Sequence, residues 1–104
     1  MNQVVKIANQ VVHDKLESQM KIAEAKLEVL KARAQAAKAN LEIKAIVALL
    51  PTKQAIQQKL QELKNVGAER WEQAKIDLDR RIAEFEKSVK ALESKAKEIK
   101  TKAN

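Results

Sequence analysis

Hydrophobic positions recur along this chain at helical spacing from one end to the other. In the second half Leu78, Ile82, Phe85, Val89, Leu92, Ala96, Ile99 and Ala103 follow one another at alternating steps of four and three. That is an unbroken a/d seam of a heptad helix. Most other positions there are charged, and Asp77–Arg81, Glu86–Lys90 and Glu93–Lys97 form i,i+4 pairs in the favourable order, worth a few tenths of a kcal/mol each. This half has one dry seam and one wet face.

The first half carries two seams. Leu16, Met20, Ala23, Leu27, Leu30, Ala34, Ala37 and Leu41 keep the four-three rhythm. Ile22, Ala25, Val29, Ala32, Ala36, Ala39, Ile43, Ile46 and Leu50 keep it two residues out of phase, almost opposite the first. Lys21, Glu24, Lys26, Glu28, Lys31, Arg33, Lys38 and Glu42 fill the strips between. A helix that is apolar on two sides needs cover on both. The chain's other half can cover one, through Leu16, Met20, Leu27, Leu30 and Leu41 against Trp71, Leu78, Ile82, Phe85, Val89, Leu92 and Ile99. The other side, Ile22, Val29, Ala32, Ala36, Ala39, Ile43 and Ile46, is expected to meet further copies of the chain. Leaving its large residues in water forfeits roughly 1.5–3 kcal/mol for each side chain that could be buried. The competing reading is that the alanines are simply good helix formers and this side stays half exposed.

Pro51 divides the chain nearly in half. It pushes Leu50 out of the α region, with Thr52 as an N-cap and Pro51 with Ile56 as a hydrophobic staple. A single kinked helix, losing one hydrogen bond at ~3 kcal/mol, is the less favoured alternative. Gly67 costs about 1 kcal/mol inside a helix, but good helix formers flank it, so the helix is expected to continue with a weak point near 65–68. The pattern therefore predicts one all-α domain over 1–104: arm one at 2–49, a turn at 50–52 and arm two at 53–102. The arms close as a long antiparallel hairpin or coiled coil that assembles into an oligomeric bundle. Local stutters fall before Val12 and between Leu63, Gly67 and Trp71.

Composition agrees with long helices. The chain has 104 residues, one Gly, one Pro and two aromatics, Trp71 and Phe85. Too few turn-forming residues remain for a fold with many tight turns. The absence of cysteine removes thiolate sites and disulfides. The first residues lack the basic and apolar regions of a signal peptide, and no apolar run reaches the roughly 20 residues that span a bilayer. A cytoplasmic location is the expectation. The net charge of +7 favours anionic partners, although acids and bases are interleaved throughout.

Candidate chemistry is sparse. His13 is the only histidine, and one imidazole does not make a zinc site or a general base without a cleft. Asp77/Asp79 and Glu84/Glu86 lie two apart, so on a helix they point away from each other. Phosphate loops and metalloprotease or nucleophile motifs do not occur. No catalytic residue, metal ligand or cofactor is expected. Trp71 falls on the dry seam four residues after Gly67, where the missing side chain leaves room for a ring. It reads as core, or as a half-exposed anchor for a protein or lipid interface. The lysine-rich tail, "KSVKALESKAKEIKTKAN", has the look of a basic amphipathic helix for anionic membrane or nucleic acid.

The stretches "DKLESQMKIAEAKLEVLKARA", "QKLQELK", Gly67 and "RWEQAK", with Ile82 eleven positions after Trp71, resemble a group of small bacterial coiled-coil proteins of about a hundred residues. Pro51 and Ile82 depart from that pattern, which has a continuous helix and an aromatic there. The resemblance implies a helical coiled coil of bacterial origin and brings no activity or site residues. The expected function is a non-catalytic scaffold acting through self-association and contact with other proteins. The alternative is a basic helical protein that coats anionic membrane or binds nucleic acid.

Overall fold

A computed structural model describes the backbone of residues 2–103 and the side chains of residues 7–95. The chain is all-helical in these residues. It forms three helices: α1 (Asn2–Ala37), α2 (Asn40–Leu63) and α3 (Ala68–Ala103). Connections of two and four residues reverse the chain twice, so α2 runs antiparallel to both neighbours while α1 and α3 run parallel. Gln19 to Lys26 of α1 share a groove with Glu86 to Glu93 of α3. Each helix packs on both others. The result is a rod of 61 × 20 × 17 Å, a three-helix bundle where the hydrophobic pattern suggests a two-arm hairpin.

The expected first arm, 2–49, ends twelve residues early. Lys38 has φ 55°. Its N–H bonds the Gln35 carbonyl at 3.2 Å, and the Ala39 N–H bonds the Ala34 carbonyl at 2.9 Å. These are the two bonds of a Schellman motif with Lys38 in the left-handed position. Buried Ala34 and partly buried Ala39 supply its apolar contact. A lysine in that conformation is unfavourable by roughly 1–2 kcal/mol, and no glycine marks the site.

The expected turn at 50–52 does not form, and Pro51 lies inside α2. The missing N–H orphans the Val47 carbonyl. Pro51 and Val47 both lie on the exposed side of the helix, where water can take the acceptor. The loss of ~3 kcal/mol is outweighed by continuity. One uninterrupted α2 buries Ile46, Ile56, Leu60 and Leu63, each worth roughly 1.5–3 kcal/mol. Thr52 and Ile56 therefore do not open a helix, and Ile56 is a core residue.

Gly67 is a full break, not a weak point in a continuous helix. α2 ends by tightening, with Lys64, Asn65 and Val66 N–H groups bonding the Gln61, Glu62 and Leu63 carbonyls. The Leu60 carbonyl, which an α-helical Lys64 N–H would otherwise take, receives a bond from His13 Nε2 at 2.9 Å. A side chain of α1 thus satisfies the last free acceptor of α2's final turn. His13 is buried. Its Nδ1 has no hydrogen-bond partner and lies 3.5 Å from Asp14 Oδ1 and 3.8 Å from Glu17 Oε2.

One core cluster joins the helices. Leu16, Met20, Ala23, Leu27, Leu30 and Ala34 come from α1, the four α2 residues above from the middle, and Trp71, Leu78, Ile82, Phe85 and Val89 from α3. Leu92 is partly buried against it. The Ile99 side chain lies outside the described residues. Leu41, expected on the intrachain seam, is 83% exposed, because the turn at Lys38 rotates it out. The space beside Gly67 is not filled by Trp71. A Cβ placed there would meet nothing within 4 Å. Trp71 is 8% exposed, a core ring with Lys75 Nζ 5.8 Å above its centroid.

Candidate interaction surface

The second seam of α1 divides at the Lys38 turn. Before the turn Ile22, Val29, Ala32 and Ala36 point to solvent, with Ala25 beside them. Beyond it the chain has reversed, so Ala39 and Ile43 pack partly against the bundle's own core and Ile46 is fully inside it. These three are therefore not part of an outer face. The reason is rotational: the heptad phase carries on in the sequence, but the left-handed residue re-aims it.

The outer face extends instead toward the N-terminus. Ile7 and Val11 are exposed and share the azimuth of Ile22 and Val29, and these four side chains remain 50–65% in solvent. The periodic signal was available, since Val11 and Ile7 lie eleven and fifteen residues before Ile22. Lys15 and Ser18 interrupt it, and the apolar phase changes before Val12. The strip runs Ile7, Val11, Lys15/Ser18, Ile22, Ala25, Val29, Ala32, Ala36. Gln19, Lys26 and Arg33 border one side, and Asp14, Lys21, Glu28 and Gln35 border the other. Lys21 is exposed and pairs with Glu17 at 3.1 Å.

Elsewhere the polar surface carries short-range pairs on α3 and a link between helices, from Gln57 Nε2 to Glu24 Oε1 at 2.8 Å. Asp77 accepts from Arg81 Nε at 2.9 Å and Arg80 at 3.2 Å. The bond from Arg81 holds its carboxyl below the usual carboxylate range, outweighing the opposing effect of desolvation, and the charges of Arg81, Lys59 and Arg80 add to it. Asp79 is exposed on another azimuth, so the two carboxylates do not converge. Among the described residues, no group of three or more His, Cys, Asp or Glu side chains could hold a metal ion, and no helix is long and apolar enough to cross a membrane.

Compared with protein-family models, with curated proteins and with solved structures, the chain matches none.

Proposed function

We propose that this protein is a non-catalytic scaffold that self-associates through the outer face of α1. The observation that carries the reading is the strip of Ile7, Val11, Ile22 and Val29, which stays largely in solvent after the bundle has closed its own core. Covering the exposed part of each side chain is worth roughly 1 kcal/mol. The alanines between them allow a second helix to approach closely. A rod 61 Å long with an apolar strip along α1 suits side-by-side assembly.

Sedimentation equilibrium of the wild type at tens of micromolar should show a mass above the monomer. Val29→Glu should return it to monomer with unchanged helicity, because Val29 is half exposed on the outer face and is not a residue of the buried core. A wild-type mass equal to the monomer rejects the reading. Salt-sensitive co-sedimentation with anionic vesicles or duplex DNA, unaffected by Val29→Glu, would favour the basic-surface alternative.

A further inference from the structure

Resting on the self-association reading, we propose that the occupant of the α1 outer face is a second copy of the chain laid antiparallel. In this register Ile22 faces Ala25, Val29 faces Ser18 and Val11 faces Ala36 of the second copy. Three observations favour this over the parallel arrangement.

The first is side-chain size. One row of the strip, Ile22, Val29 and Ala36 with Lys15, is on the whole bulky; the other, Val11, Ser18, Ala25 and Ala32, is mostly small. In a parallel pair each row meets itself. Large residues then stack on large, and Ala25 and Ala32 face their own copies across a gap. In the antiparallel pair the rows exchange, and each large knob from Val11 to Val29 meets a small residue, as close packing requires.

The second is Lys15. It is an exposed member of the bulky row. Parallel packing opposes it to Lys15 of the other copy. Antiparallel packing opposes it to Ala32, over which its aliphatic stem can lie while the ammonium stays in water.

The third is the border charge. Parallel helices pair one border with the opposite border of the neighbour; antiparallel helices pair like borders. Parallel packing brings Lys21 to Lys26, a repulsion that offsets the attraction of Glu28 for Arg33. Antiparallel packing brings Lys21 to Glu28, twice by symmetry, and sets Lys26 beside uncharged Gln19. Among the α1 side chains the flanks then carry two attractions and no repulsion. Such a contact is self-complementary about a two-fold axis, the commonest closed arrangement of identical chains.

The area is consistent with a reversible pair. In this register the facing stretch runs from Val11 to Ala36, about 37 Å long and a helix about 11 Å wide, so lengthwise contact buries about 800 Å² in total, the size of a weak, transient interface. A crossed contact would bury a fraction of that.

The chain has no cysteine, so single cysteines report cleanly. Val11→Cys and Ala36→Cys variants, each alone and mixed, are treated with a short bis-maleimide, alongside sedimentation equilibrium of Lys21→Glu and Lys21→Glu/Glu28→Lys at low salt. The antiparallel pair should cross-link only in the mixture, because identical positions near the ends are ~37 Å apart along the axis. Lys21→Glu should weaken the dimer about 3–10-fold, and the double variant should restore it. Self-cross-linking of either variant alone, or tightening by Lys21→Glu, overturns the orientation and leaves self-association standing. A dimeric mass with no cross-link in any arm also overturns the proposal, since the contact then lies off this face. A monomeric wild type overturns both it and the reading beneath it.

Discussion

Replacing Lys38 by glycine should make this protein more stable, and the sign of that change tests the fold. Lys38 occupies the left-handed region at φ 55°, roughly 1–2 kcal/mol above the right-handed basin for a residue with a Cβ. Glycine removes that strain but brings a more flexible unfolded chain, a cost of about 0.5–1 kcal/mol. The difference is a net gain of about 0.5–1 kcal/mol, or an increase in Tm of about 2–8 °C for a domain of this size. Lys38→Val should move the other way, because a β-branched side chain tolerates positive φ least. Urea and thermal unfolding followed by far-UV circular dichroism would measure both. The opposite sign has a definite meaning. If one helix ran from residue 2 to 49, Lys38 would be an interior position and glycine there would cost about 1 kcal/mol. A destabilised Lys38→Gly would therefore refute the turn, and the three-helix bundle with it.

Three other outcomes follow from particular contacts. His13→Ala should lower stability by about 2–3 kcal/mol, since it deletes a buried ring and leaves the Leu60 carbonyl without its donor; a shift in urea midpoint equivalent to less than ~0.5 kcal/mol would show that the α1–α2 joint does not depend on it. Arg81→Ala should let Asp77 titrate nearer the ordinary carboxylate range, as followed by carboxyl-carbon NMR, because the Arg81 bond is the main cause of its lowered value. A carboxylate depressed in the folded state stabilises above its unfolded pKa and loses that contribution as pH falls through the folded value, so the variant should also show a shallower acid limb. Phe85→Ala, at the fully buried middle of α3, should cost about 3–5 kcal/mol, where Val29→Glu on the outer face should leave monomer stability nearly unchanged.

Much of the molecule was legible because burial follows period. The seam of α3 from Leu78 to Val89 and the first seam of α1 from Leu16 to Ala34 lie inside the core, as a four-three rhythm implies wherever a helix continues. The turns were not legible for the same reason. A seam shows that side chains share a face but says nothing of where the axis reverses, and the strongest punctuation mark, Pro51, proved compatible with a helix. Its lost hydrogen bond falls on the solvent side, and the apolar residues on both sides of it are needed by one core. The actual reversal, at Lys38, carries no glycine, so its left-handed residue is visible only as a backbone angle.

The candidate surface divides along the same line. Ile22, Val29, Ala32 and Ala36 could be placed opposite the core by counting alone. Whether Ala39, Ile43 and Ile46 joined them depended on the helix remaining straight, and it does not. The partnership of His13 with Leu60, 47 positions away, could not be read from either neighbourhood.

The sequence by itself determined that the chain is helical and which faces are apolar, because both follow from side-chain type and a 3.6-residue period. The tertiary structure alone decided that there are three helices, where they turn, and which apolar face is left outside. Those depend on how much surface each possible reversal buries, a comparison between distant residues that no local pattern contains.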